Sequence, residues 1–294
     1  MPMPELYAKF NVQTTVKLSH KPVGPTGESH AKNAITMVFA DSVNNTVIIC
    51  IGSSLQMCDP PEALPHLLAG SQHHCGFRDG NRTEARLSTV NGVAVDRDQL
   101  IIFTDFMNNC VREITPSGQV RTICGPLPQS ESPFAQLSMH GAYGFDDGVA
   151  HQARFHRPWG ICLHHNDTQL FVVDCFNSNI RRINRATAYV STVSTAQDMS
   201  PDPLTLEVSP PNQLFNPTTI RRSKHGRDLY VVSGSCHQIF CINIETMKFC
   251  PVMSNRLASQ VLRPVCLDLT STDALLVGYT GTSLSTQAES LKCV

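Results

Sequence analysis

The apolar residues of this chain gather in short runs separated by polar or glycine-containing turns. ITMVFAD and TVIICI come first, then GVAVD, LIIFTD and VREI, then GICLH, LFVVD and NIRRI, and finally DLYVV, IFCIN and ALLVGY. Runs of this length, rich in β-branched and aromatic residues, predict β-strands, and no amphipathic stretch of useful helical length interrupts them. The N-terminal FNVQTTVKL alternates strictly, with Phe10, Val12, Thr14, Val16 and Leu18 on one face, as a strand between core and edge should. The pattern predicts an all-β chain.

The runs repeat. GFRDGNRTEARLSTVNGV at 76–93 returns at 144–161 as GFDDGVAHQARFHRPWGI, so that Gly76 and Gly144, Phe77 and Phe145, Asp79 and Asp147, Gly80 and Gly148, Ala85 and Ala153, Arg86 and Arg154, and Gly92 and Gly160 coincide without a gap. Each copy continues with an apolar segment, a polar turn, a second segment, an Asp-containing turn and a third. Fainter copies occupy 35–70 and 216–252, and a last one begins at Arg263. Self-similarity at a spacing of about 40–70 residues, the size of one small antiparallel sheet, points to radial repetition in a β-propeller with four-stranded blades.

The copies give about five blades, or a shortened member of a six-bladed type; 126–143 and 195–213 are filled with Pro, Ser and Gly and read as loops. Residues 10–18 are expected to complete the last blade and close the ring. Residues 1–33 then form the closing strand and a linker, and 34–294 the propeller.

GFDDG, ARF, PWGI, FVVD and NSNIRRI in one unit, and GFRDG, ARL, NGV, IFTD, NNCVREI and VRTICG in the other, resemble the NHL repeat. Leu87 and Val90 depart from its usual Phe and Pro, the first unit lacks the glycine-rich start, and Ser233 stands in the fourth where Asp is usual. The resemblance implies a propeller. It also implies a range of functions, since some NHL-type propellers bind single-stranded RNA on a basic face and some relatives are metal-dependent lyases that use central-channel histidines.

Composition narrows this range little. The 294 residues are 41% hydrophobic and 16% charged with a formal net charge of −1, which gives no global attraction to nucleic acid or anionic membrane. No positively charged leader with an apolar core opens the chain, and VIICI is too short to span a bilayer, so the expected location is cytoplasmic, without membrane. The twelve cysteines fit that reading: Cys50, Cys162, Cys241 and Cys266 lie inside apolar runs and no CxxC occurs. The sequons at 44–46, 81–83 and 166–168 are then idle.

Comparison of the copies isolates one polar pair. Asp105 and Arg112, and Asp174 and Arg181, recur at one spacing, and in the fourth unit Ser233 and Phe240 replace both members together. Joint loss predicts structural ion pairs across the turn between second and third strands, not catalytic carboxylates. GFDDG carries acids and no Lys-Ser/Thr, which excludes a phosphate loop, and Asp146 and Asp147 offer too few oxygens for a regular calcium site.

In a propeller, the loops entering a blade and those joining its second and third strands share one face, while the first-to-second turns lie on the other. His73 and His74 therefore fall on a different face from His164 and His165, although His73, His74 and His140 are conceivable as one metal site. No Ser-His-Asp or Cys-His order stands out, and no catalytic residue, metal ligand or cofactor is assigned.

The first face gathers Arg157, Trp159, Phe106, Phe176 and Asn177 with the 126–143 insertion. Aromatics beside arginine form binding hot spots; the competing reading packs Trp159 beneath its own turn. The expectation is a non-catalytic scaffold binding a protein partner through this face. The alternatives are single-stranded RNA binding, with charge from Arg112, Arg181, Arg182, Arg221 and Arg222, and a metal-dependent propeller hydrolase or lyase.

Overall fold

The computed structural model describes residues 7–9, 15–17, 35–41, 46–58, 65–127, 142–193, 214–233, 238–252, 263–269, 275–280 and 289–291. Strands β1 (Tyr7–Lys9) and β2 (Thr15–Lys17) pair antiparallel in a two-stranded ribbon. Blade I contains β3 (Ile35–Asp41), β4 (Thr46–Ile51), β5 (Ser53–Cys58) and β6 (His66–Ser71) in sequential order. Blade II consists of β7 (Gly80–Asn81), β8 (Val90–Val95), β9 (Ile101–Asp105), β10 (Cys110–Ile114) and β11 (Gln119–Cys124). Blade III follows with β12 (Gly148–Val149), β13 (Pro158–Leu163), β14 (Gln169–Asp174), β15 (Asn179–Asn184) and β16 (Tyr189–Val193). Blade IV holds β17 (Pro217–Arg222), β18 (Asp228–Ser233), β19 (Gln238–Asn243) and β20 (Phe249–Pro251), and blade V holds β21 (Arg263–Leu269), β22 (Leu275–Thr280) and β23 (Glu289–Leu291).

The chain is an all-β propeller. The first long strands of the blades, β3, β8, β13, β17 and β21, follow one another in chain order, each packed on the next. The apolar runs are continuous because the middle strands are buried on both faces. Along β14, Leu170 and Val172 point into the core shared with blade II, while Phe171 and Val173 enter the core shared with blade IV. Similar clusters join I to II, through Ile48, Leu55, Phe103 and Val120, and IV to V, through Tyr230, Val232, Leu267 and Val277.

Close approach of the first strands requires glycine. A Cβ on Gly160 would lie 2.5 Å from the Thr218 carbonyl oxygen, and one on Gly92 would collide with that of Trp159. The Thr104 hydroxyl donates to the same Trp159 oxygen across the blade boundary, at 2.5 Å.

Blades II and III have five strands instead of the expected four. The glycine-rich starts are not only turns: Gly80–Asn81 pairs with β11 and Gly148–Val149 with β16, adding an outermost strand. Of the stretch 10–18 expected to close the ring, residues 15–17 pair with β1, and the rest lies outside the described residues, as do 128–141 of the insertion and all of the 195–213 loop.

Candidate functional site

A buried polar node under each of blades II and III sets the geometry of the first face. In blade II the Arg112 side chain is fully buried: Nη1 donates to Asp105 Oδ2 at 2.9 Å and to the Arg86 carbonyl at 2.8 Å, and Nη2 to Asp79 Oδ1 at 2.7 Å and the Arg78 carbonyl at 2.6 Å. The guanidinium lies over the Phe77 and Phe103 rings, 5.1 and 5.9 Å from their centroids. Blade III repeats this arrangement around Arg181, with Asp174 at 2.9 Å, Asp147 at 2.7 Å, the carbonyls of Arg154 and Asp146, and the Phe145 and Phe155 rings. The recurrent GFxDG and AR elements thus converge on one guanidinium.

The other carboxylate contacts hold the loops. Asp105 accepts from the backbone N–H of Ser88 at 3.1 Å and Asp174 from that of His156 at 2.7 Å, fixing each lead-in. Burial pushes both carboxyls above their ordinary value, against Arg112, Asn108 and Ser88 in one case and Asn177, His156 and Arg181 in the other. Partial burial pushes Asp147 up as well, but the Thr192 backbone and hydroxyl together with Arg181 outweigh it and hold that carboxyl below its ordinary value. Blade IV solves the same problem without charge. The Ser233 hydroxyl donates to the Phe215 carbonyl at 2.7 Å and accepts its N–H at 3.0 Å, while buried Phe240 fills the guanidinium's place.

Above the nodes, aromatic rings form a continuous band across blades II and III. Trp159 meets Phe106 edge-on at 5.1 Å between centroids, Phe106 meets Phe176 at 6.3 Å, Phe176 meets His156 at 5.0 Å, and His156 stacks on Tyr143 at 4.4 Å. Arg157 covers the Phe106 ring at 5.1 Å and touches the Met107 sulfur. Phe176 and Tyr143 are 53% and 59% exposed. Arg157 adopts a left-handed φ of 60° and donates its N–H to Asn109 Oδ1 at 2.9 Å, so blade II holds a blade III loop in a conformation unfavourable for a non-glycine residue. Burial and the Arg157 charge keep the His156 imidazole below its ordinary pKa.

Arg157, Trp159, Phe106 and Phe176 thus come together as one cluster. Trp159 is half-buried, sharing its ring between Phe106 and the core between blades III and IV. Asn177 has a different job: its amide donates to the Gly144 carbonyl and to Asp174 Oδ2, both at 2.8 Å, as Asn108 does to Gly76 and Asp105. It staples the turn beside the aromatic cluster. Tyr143, His156 and Met107 were not singled out in the sequence, because their membership depends on which loops become neighbours.

The other candidates are dispersed. Arg112 and Arg181, counted as charge for RNA, are buried and engaged, while Arg221 pairs with Asp268 at 3.3 Å and Arg222 donates to the Leu163 carbonyl at 2.9 Å. His164 and His165 meet on the opposite face with ring centroids 4.1 Å apart and planes tilted by 54°. Among the described residues no group of three His, Cys, Asp or Glu could hold a metal ion; His140 lies outside them.

No family model matches the chain, and no curated protein sequence matches it. Solved structures do. Selenomethionine-substituted virginiamycin B lyase from Staphylococcus aureus superposes with a TM-score of 0.52 at 14% identity, over 89% of this chain and 70% of that one. A chain of the nidogen/laminin complex superposes with a TM-score of 0.52 at 13% identity, over 82% and 71%. Likeness at this identity establishes the propeller fold and nothing about activity.

Proposed function

We propose that this chain is an NHL-like propeller that serves as a non-catalytic scaffold, binding a protein partner in the cytoplasm through the first face. The aromatic band carries this reading: two large rings more than half exposed, with an arginine laid on a third, form the composition from which protein-binding hot spots are built. The nodes beneath lock the loops, so the face is organised before any partner arrives, which lowers the ordering cost of binding. Buried thiols at Cys110, Cys124, Cys162 and Cys175, held among apolar strands, support a reducing compartment. One structural neighbour is a propeller crystallised with a protein partner.

The test is affinity capture from lysate treated with ribonuclease, followed by binding of the purified partner to the wild type and to Arg157→Ala/Phe176→Ala. The expected result is a direct complex that the double variant weakens by about a thousandfold, two such anchors each contributing ~2 kcal/mol, with an unchanged melting temperature. Recovery that depends on RNA, or an undiminished complex with the variant, rejects the reading.

A further inference from the structure

We propose that a cleft between blades III and IV, on the face opposite the aromatic band, binds a small phosphate-bearing ligand through Arg182 and Arg227. The cleft has a volume of about 510 Å³ and is lined by His164, His165, Arg182, His225, Arg227 and Glu245, among others. Two first-to-second turns, 164–168 and 223–227, form its walls, and they fit closely because Gly226 has no side chain: a Cβ there would stand 2.7 Å from the His165 ring. Two guanidiniums and three imidazoles thus surround a single carboxylate, that of Glu245.

The neighbouring blade junction shows what an internally neutralised arrangement looks like. Between blades II and III, Arg97 pairs with Asp167 at 3.4 Å and Arg185 with the buried Asp96 at 2.6 Å. At the III–IV cleft neither arginine has such a partner among the described residues: Arg182 Nε reaches only the Ser191 hydroxyl, at 3.3 Å, and the exposed Arg227 side chain forms no ion pair. The cross-strand position makes the same point. Glu113 faces Arg121 in blade II and forms an ion pair with it, whereas in blade III Arg182 faces Ser191, leaving the guanidinium without a carboxylate.

Arg182 also borders a second hollow of about 340 Å³ with Gln169, Asn184, Thr187, Tyr189 and Ser191. A guanidinium flanked by amides and hydroxyls suits a phosphate on a polar carrier, since the fork grips two phosphate oxygens and the neutral donors serve the carrier.

Calorimetric titration with inorganic phosphate and with glucose 6-phosphate tests this, with acetate as a singly charged control. Saturable binding of both phosphates is expected, weakened about tenfold or more in Arg182→Gln/Arg227→Gln and tightened about two- to fivefold in Glu245→Gln, which removes the competing charge. Arg157→Ala, on the other face, should leave the affinity unchanged. Absence of saturation, equal binding of acetate, or equal loss in Arg157→Ala overturns the proposal. The single variants Arg227→Gln and Glu245→Gln alter exposed side chains, so the test stands even if the double variant folds poorly. The site and the protein-binding face share no residue, and either can fail without the other.

Discussion

At the scale of single residues, a buried guanidinium explains why the repeat is spelled as it is. Arg112 takes charge from Asp105 and Asp79 and carbonyls from the lead-in, so Asp105→Ala leaves it buried with one exterior counter-charge. That variant should lose about 3–5 kcal/mol, as expected when one member of a buried pair is removed. Asp105→Ser/Arg112→Phe, the solution blade IV already uses at Ser233 and Phe240, should lose far less than the two single variants together. Urea unfolding of the four proteins measures the coupling, and strictly additive losses would sink the account. The sequence revealed this pair because its members vanish together, but it hid the role of Asp79 and Asp147, whose arginine partners lie 33 and 34 residues further along the chain. A second residue-scale expectation concerns His156. Its folded pKa lies below the ordinary 6.5, so the neutral ring's contribution is present above that value and is lost as pH falls through the folded pKa. Protonation also sets a second cation beside Arg157, so partner affinity should fall as the pH is lowered below 6.5, and His156→Gln should flatten that profile. A profile unaffected by the substitution removes His156 from the site.

At the scale of elements, legibility followed burial. The middle strands were readable because both faces are covered: β14 is apolar from Leu170 to Val173, and no helix pattern competes with so short a run. The outermost strands β7 and β12 were not readable, because two residues containing a glycine carry no apolar period, and their pairing depends on a strand far along the chain. The same limit applies to the site. Phe106 and Phe176 could be placed on the correct face from their position after an Asp-ended strand. Asn177, one residue further on, looked equally exposed until its amide was seen to bridge Gly144 and Asp174. Polar residues in turns are ambiguous in sequence because a staple and a contact residue have identical local spelling; only the acceptors decide. Glycine behaves in the opposite way. Gly92 and Gly160 recur at one position because neighbouring first strands leave no room for a Cβ, so the repeat itself records how closely blades approach.

At the scale of the whole molecule, the propeller separates two surfaces with different chemistry, apolar and aromatic on the first face, basic and histidine-rich in the III–IV cleft of the second. Both depend on neighbouring blades keeping their angle, which the shared core clusters enforce by burying alternate residues of one strand on opposite sides. The N-terminal segment belongs to this scale. An isolated two-stranded ribbon is marginal in water, and among the described residues β1 and β2 are joined to no other sheet, while β23 forms an edge of blade V. We propose that residues 10–18 complete blade V and close the ring, the alternation from Phe10 to Leu18 supplying one apolar face for that sheet and one polar face for solvent. Deletion of residues 1–18 should then expose the β23 edge, lower the melting temperature by about 5 °C or more through loss of ~2 kcal/mol of packing, and promote self-association through that edge. Hydrogen exchange would show the loss concentrated in blade V, with β9 and β14 keeping their protection. An unchanged melting temperature and unchanged exchange in 289–291 would mean that blade V is completed by something other than the N-terminus.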